Sequence, residues 1–311
     1  MKILISDKIH EGGIKIFEEN GFEVDKEFTI SNEELKKKIQ EYDGIVVRSR
    51  TKLTTEVLDQ AVKLKVIGRA GVGLDNINLK KASEMDIEVL NTPEAPSITV
   101  AEFALGLMFS LARHISIADE TMHKGEWNKS QYLGFTLHSK KLGLIGFGNI
   151  GKALATRAIS LGMKVGVYSR FSAGPQAVKE AKDMGCHIYP SVEDLLKDAD
   201  VVSLHLPATP QTENIINKRS LSLMKKDALL INTARGQLID ENALIKALQE
   251  DKMGGAAIDV YRKEPLDNQG LMKLEKNLIL TPHIASQSKE NQVQAATMIA
   301  KKMVKFLKDS L

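Results

Sequence analysis

An apolar run, Lys141-Leu142-Gly143-Leu144-Ile145, leads directly into Gly146-Phe147-Gly148-Asn149-Ile150-Gly151 and then into a helix-like stretch, Lys152 to Leu161. A strand, three spaced glycines and a helix in that order constrain the fold more than any other feature. The first glycine allows a tight turn and the second lets backbone approach a pyrophosphate. The third lets the helix pack on the strand, and the helix N-terminus offers N–H groups and a favourable dipole. The motif predicts a doubly wound parallel α/β sheet that binds a dinucleotide through Gly146, Gly148, Asn149, Ile150 and Gly151.

The flanking patterns extend that reading. Further apolar runs near Val165–Tyr168, Val201–Leu204, Ala228–Asn232, Ala256–Val260 and Leu278–Thr281 alternate with amphipathic stretches, as in a parallel sheet. An earlier alternating series opens with Lys2–Ser6 and continues through Gly13–Glu19, Ile45–Val47, Glu56–Ala61, Val66–Ile67 and Ile87–Leu90. Ser31 with Glu34 makes a capping box, and Thr54 is placed to cap the next helix. With 311 residues the chain is long enough for two domains and a cleft between them. A single long helix is expected from Ser97 to about Lys124, closed by Gly125 and bridging out of the first domain, and an amphipathic helix from Gln287 to Lys308 that packs back on it.

Composition excludes several classes. A net charge of +3, spread along the chain, gives no nucleic-acid or membrane footprint. One cysteine, Cys186, rules out an internal disulfide framework and fits a reducing compartment, so a cytoplasmic location is expected. The residues after Met1 do not form a signal-peptide core, and the longest apolar segment, Val100 to Ala112, is interrupted by Glu102 and too short to span a bilayer. No metal site is expected, because His10, His114, His123, His138, His187 and His205 lack ligand spacing.

Three polar residues follow the later strands: Arg235 after Leu229–Ala234, Asp259 after Gly255–Ile258, and His283 after Leu278–Pro282. Ligands in an open parallel sheet bind beyond the carboxyl ends of the strands, so the three are expected in one crevice. Hydride transfer from a carbinol carbon needs a base for the hydroxyl proton near neutral pH, and His283 suits that work. Glu264, in Lys263-Glu264-Pro265, is placed to orient the imidazole, and Arg235 supplies a planar, permanent charge for a substrate carboxylate. Val167-Tyr168-Ser169-Arg170 lacks the acid that usually reads the ribose 2′-hydroxyl of NAD. Ser169 and Arg170 suit a 2′-phosphate instead, so both NAD and NADP stay open.

These blocks together resemble the D-2-hydroxyacid dehydrogenases over essentially the whole chain: Gly146–Gly151, Asn232-Thr233-Ala234-Arg235-Gly236, Ala257-Ile258-Asp259-Val260 with Glu264-Pro265, and Thr281-Pro282-His283-Ile284-Ala285. The resemblance implies that Arg235, Glu264 and His283 are catalytic and that Asp259 helps hold the site. It also implies that the cofactor is met by Val72, Ser169, Arg170, Leu206, Thr233, Ala234, Asp259, His283 and Ser286 as well as the glycine loop. It further implies a Rossmann cofactor domain, residues 98–285, inserted in a flavodoxin-like substrate domain, residues 1–97 and 286–311, and a homodimer formed through the cofactor domain.

Within the family, Val47–Thr54 and Gly68–Ile77 are similar to the 3-phosphoglycerate dehydrogenases, which implies substrate contacts from Arg48, Ser49, Arg69 and Gly71, with Arg50 also near. The expected reaction is oxidation of the 3-phosphoglycerate C2 hydroxyl, the first step of L-serine biosynthesis. Ser169-Arg170 is similar instead to NADPH-dependent glyoxylate or hydroxypyruvate reductases, and a dinucleotide-sensing binding protein on the same scaffold is a reading of another class. Since the sequence ends at Leu311, serine feedback through an added regulatory domain is not expected.

Overall fold

A computed structural model describes residues 1–169, 175–274 and 276–309. The chain divides into two compact units, Met1–Pro96 with Gln287–Leu311, and Ser97–Ser286.

The first unit carries a five-stranded sheet of β1 (Lys2–Ile5), β2 (Glu23–Lys26), β3 (Gly44–Val47), β4 (Val66–Arg69) and β5 (Glu88–Asn91), in the order β2-β1-β3-β4-β5. Every pairing is parallel. The order reverses between β1 and β3, so the first unit has its own crevice position beyond those two strand ends. The helix Lys289–Asp309 returns to this unit and buries Ala296, Ile299, Ala300, Met303 and Leu307. Full burial of each large aliphatic side chain there stabilises the fold by roughly 1.5–3 kcal/mol. Gly13 makes the close approach possible, since a Cβ there would lie 2.6 Å from the Ala296 carbonyl oxygen.

The second unit carries a seven-stranded parallel sheet. Its strands are β6 (Lys141–Ile145), β7 (Lys164–Tyr168), β8 (His187–Ile188), β9 (Val201–Leu204), β10 (Leu229–Asn232), β11 (Gly255–Ile258) and β12 (Leu278–Leu280). The order is β12-β11-β10-β9-β6-β7-β8, which places the topological switch between β6 and β9. Strands β9, β10 and β11 are buried at every position, which is why their apolar runs are continuous rather than alternating. The expected fold class of two doubly wound parallel sheets is what the structure has.

Two local expectations are corrected. Two helices, Ser97–Ala112 and Ile115–His123, replace the single helix, with a 65° bend between them. His114 breaks the run by adopting a left-handed conformation, φ 55°, which does not propagate a helix. No single helix among the described residues is long and apolar enough to cross a membrane. Thr54 occupies the N-cap position of the helix Thr55–Leu58, yet its side chain makes no capping bond, whereas the Ser31–Glu34 box forms in full. Edge strands β2 and β8 had no expectation. Their sequences, Glu-Val-Asp-Lys and His-Ile, are too polar or too short to show a strand period.

Candidate active site

Two of the three glycines of the first motif are required by close packing. Gly146 has φ 101° and lies against the loop after β9, where a Cβ would stand 2.5 Å from the His205 carbonyl oxygen and 3.1 Å from Leu206 Cδ2. At Gly151 a Cβ would stand 2.7 Å from the Gly146 oxygen, so the helix can lie close to the loop only without one. Gly148, the N-cap of the helix Asn149–Ser160, has nothing within 4 Å of a Cβ position. Packing therefore does not require glycine there, but open space does suit a ligand approaching backbone. Asn149, Ile150 and Gly151 form the first turn, whose N–H groups have no acceptor within the helix.

Two further observations fit a dinucleotide at this crevice. Ser169 Oγ, just after β7, and Thr233 Oγ1, just after β10, are shielded from solvent with no hydrogen-bond partner among the described residues. Hydroxyls in that state need an acceptor or donor from elsewhere. A cavity of about 270 Å³ adjoins Ser169, and the described residues lining it, among them Val167, Ala177, Ile188 and Tyr189, include no carboxylate. Arg170 lies outside the described residues.

The two side chains expected to work as an acid/base pair lie side by side. His283 Nδ1 lies 2.8 Å from Glu264 Oε2. Glu264 Oε1 accepts the Tyr261 backbone N–H at 3.1 Å. Both side chains are partly open, His283 at 47% and Glu264 at 39% exposure.

Asp259 does not face the crevice, as its strand-end position predicts, but holds the site from behind, in line with the part that the resemblance implies. It is fully buried and spends both oxygens on the turn that carries His283. Oδ1 accepts the Thr281 hydroxyl at 2.6 Å and the Ile284 N–H at 2.9 Å, and Oδ2 accepts the Ala285 N–H at 2.9 Å. These charge-assisted bonds hold His283 in a left-handed conformation, φ 52°, that a non-glycine residue adopts rarely. Ser286 follows directly, at the end of the unit.

Arg235 sits on a loop fixed by Asn232, which sequence reasoning missed. Fully buried at the end of β10, Asn232 accepts the Ala234 N–H at 3.0 Å and donates to the Arg235 carbonyl at 2.9 Å. Tyr261 was also missed: its hydroxyl donates to the Thr281 oxygen at 2.8 Å, joining the Glu264 loop to the His283 turn. A polar residue ending an apolar strand is the available signal for Asn232, because a buried amide must find partners.

The first unit separates the N-terminal arginines. Buried Asp7 follows β1 and accepts the Arg48 N–H at 2.5 Å, the Thr51 hydroxyl at 2.8 Å and Arg50 Nε at 3.0 Å. Arg50 also donates to the Ile30 carbonyl, so it is a brace for this loop. The Arg48 side chain is half-buried, and burial lowers its pKa from the usual value despite the nearby Asp7. Its guanidinium has no hydrogen-bond acceptor among the described residues. Ser49 beside it is exposed. Arg69 folds over Gly71, where a Cβ would stand 2.0 Å from Arg69 Nη1, and the Val72 carbonyl accepts from Asn91 at 2.7 Å.

Residues 105–285 match the family model of the D-isomer-specific 2-hydroxyacid dehydrogenase NAD-binding domain. The chain belongs to that family. The D-2-hydroxyacid dehydrogenases are NAD(P)-dependent oxidoreductases, and the glycine loop and the His283–Glu264 pair both fall within the matched segment. Over its full length the chain is 44% identical to a D-3-phosphoglycerate dehydrogenase of Methanocaldococcus jannaschii, of which it covers 58%. It thus spans little more than half of that relative. It is also 40% identical over its full length to a glyoxylate reductase of Thermococcus litoralis, covering 95% of that protein. A solved structure of the TT0316 protein from Thermus thermophilus aligns with a TM-score of 0.89 at 33% identity, covering 99% of this chain and 97% of that one.

Proposed function

We propose that this protein is a D-3-phosphoglycerate dehydrogenase, which oxidises the C2 hydroxyl of its substrate to give 3-phosphohydroxypyruvate at the entry to L-serine biosynthesis. The dehydrogenase chemistry is carried by the 2.8 Å pairing of His283 with Glu264 in the same unit as the glycine loop. The choice of substrate is supported by the Methanocaldococcus relative and by Arg48, a half-buried cation without an acceptor among the described residues. Arg48, Ser49, Arg69 and Gly71 are assigned to the substrate, and Arg235 to its carboxylate.

The cofactor would be held by Gly146, Gly148, Asn149, Ile150 and Gly151 at its phosphates, by Ser169 and Arg170 at its ribose, and by Val72, Leu206, Thr233, Ala234 and Ser286, while buried Asp259 serves it only through the turn that carries His283. When bound, the nicotinamide supplies the acceptor for the C2 hydride. Glu264 on Nδ1 keeps the proton of neutral His283 on that nitrogen and leaves Nε2 as the base. His283 Nε2 takes the C2 hydroxyl proton as the hydride leaves, and Glu264 stabilises the imidazolium so formed. In the reverse direction the imidazolium returns the proton to the carbonyl oxygen.

A second reading, glyoxylate or hydroxypyruvate reduction with NADPH, is favoured by the absence of a carboxylate among the described residues beside Ser169 and by the Thermococcus relative. Steady-state rates decide between the two: 3-phosphoglycerate with NAD or NADP, against glyoxylate and hydroxypyruvate with NADH or NADPH. A higher kcat/KM for 3-phosphoglycerate supports the first, and the opposite order overturns it. Tight cofactor binding with no turnover on any of these would make the protein a dinucleotide sensor. In its working form we infer a homodimer built through exposed Ile98, Phe109, Ile115, Met122, Trp127 and Leu133, which follow one another along the two helices after Pro96 and the segment beyond. A cytoplasmic location accompanies this reading.

A further inference from the structure

We propose that Arg262 is a positioning residue that sets the loop of Arg235 against the loop of Glu264, and so tunes carboxylate binding without touching substrate. The inference rests on the assignment of Arg235 to the substrate carboxylate. The two loops meet at Gly236, where there is no free space: a Cβ there would stand 1.9 Å from the Tyr261 carbonyl carbon and 2.4 Å from the Arg262 nitrogen. Any movement of the Arg235 loop is therefore a movement against residues 261–262, two positions before Glu264.

Arg262 ties that junction on three sides. Its Nε donates to the Ile239 carbonyl at 3.2 Å and its Nη2 to the Gln237 carbonyl at 3.5 Å, both on the segment that continues from Arg235 and Gly236. The same guanidinium reaches the loop after β9 through the Asn214 amide oxygen and Glu213 Oε1, the latter at 3.4 Å. Its own backbone N–H donates to Glu241 Oε1 at 3.1 Å. One planar fork therefore ties the 213–214 and 237–239 segments to the 261–264 loop, a geometry that a lysine ammonium does not reproduce. A polar cavity of about 250 Å³ opens beside it, lined by Asn214, Asp240, Glu241 and Arg262 among others, so a shortened side chain would be replaced by water.

The exposure of the ion pair separates positioning from stability. Arg262 and Glu213 are 35% and 53% exposed, and pairs so open contribute little to folding. Loss of Arg262 should thus loosen the substrate arginine while leaving the fold nearly intact.

The test measures substrate KM, kcat with its pH profile, cofactor Kd and Tm for Arg262→Gln, Arg262→Lys, Arg235→Lys and the double variant Arg262→Gln/Arg235→Lys. The carboxylate substrate is whichever of 3-phosphoglycerate, glyoxylate and hydroxypyruvate the wild type turns over best. For Arg262→Gln we expect substrate KM to rise about tenfold, the equivalent of about 1.4 kcal/mol, with cofactor Kd and the pH profile unmoved. Arg262→Lys should fall close to Arg262→Gln, and it decides the matter if the glutamine variant does not fold. In the Arg235→Lys background the same substitution should change KM less than twofold, since both act on one interaction. An unchanged KM, a full tenfold rise in that background, or equal losses in KM, kcat and cofactor affinity would each overturn the proposal. If Arg235→Lys alone leaves KM unaltered, the assignment of Arg235 fails instead.

Discussion

Asp259→Asn is the sharpest single test of how this site is held. The carboxylate accepts three bonds, two on Oδ1 and one on Oδ2. An amide of the same shape keeps the bonds from Thr281 and Ile284 if its oxygen takes the Oδ1 place, but its NH₂ then faces the Ala285 N–H. One charge-assisted bond is lost, worth about 1.5–3 kcal/mol, and one buried N–H is left without an acceptor at a cost of about 1–3 kcal/mol. The turn is weakened by about 2.5–6 kcal/mol in sum, and the left-handed φ of His283 loses one of the three anchors that enforce it. Since each 1.4 kcal/mol is a factor of ten in population, kcat should drop by roughly 10²-fold or more. At about 2–4 °C per kcal/mol for a domain of this size, Tm should fall by roughly 5–24 °C. Single-turnover and steady-state assays with a thermal melt read both quantities. A variant with wild-type kcat and unchanged Tm would refute the idea that Asp259 holds the histidine turn.

Four further outcomes are expected. His283→Ala should lower kcat about 10²-fold or more with cofactor affinity little changed, and an unaltered kcat removes it from the mechanism. Gly148→Val, with open space at its Cβ, should preserve Tm within about 2 °C yet weaken cofactor binding at least tenfold by equilibrium titration; unaltered affinity would place the phosphates elsewhere. Burial pushes His205 down to about 4, and its Nε2 lies 2.9 Å from Ser203 Oγ. The unfolded chain therefore binds this proton first as pH falls below about 6.5, so its contribution destabilises the fold progressively between about 6.5 and 4 and levels off below; His205→Gln should flatten that part of the Tm–pH curve, and an identical slope would refute the assignment. Trp127, the one tryptophan and 78% exposed, should show a concentration-dependent blue shift if the dimer forms as inferred, with Phe109→Glu abolishing it and giving a monomer in sedimentation; a dimer with unshifted emission that survives Phe109→Glu would move the interface.

Sequence patterns revealed those parts of the fold whose residues face one environment throughout. Strands β9, β10 and β11 are buried on both faces, so their apolar runs mark them within a residue or so. Strands β2 and β8 are recruited by pairing with a neighbour already in place, and nothing local distinguishes Glu23–Lys26 from a loop. The break at His114 was equally hidden, since the apolar pattern of Ser97–Ala112 runs up to it and the left-handed residue is set by tertiary context. At the site, the groups proposed to carry the chemistry could be picked out because few residue types suit that work: a fork of charge, a titratable ring and a carboxylate. The groups that position them could not. Tyr261 acts through its backbone N–H and its hydroxyl on two different loops, and Asp7 binds residues 41 to 44 positions away, relations that only the folded chain creates.

That division has a consequence for specificity. His283, Glu264, Asp259, Asn232 and Arg235 all belong to Ser97–Ser286, and every anchor described for them lies in the same unit. Arg48 and Ser49 belong to Met1–Pro96, on a loop braced from below by buried Asp7 and by Arg50. If Arg48 reads the phosphate, Arg48→Ala should raise KM for 3-phosphoglycerate at least tenfold while glyoxylate reduction stays within twofold, because the proton-transfer pair and the carboxylate arginine are left as they were. Asp7→Asn should weaken the same substrate through the loop, since it removes a charge that three groups share and leaves the Arg50 cation unpaired. Equal losses on both substrates from Arg48→Ala would mean that Arg48 serves the common carboxylate, and preference for a phosphorylated acid would then need another cation.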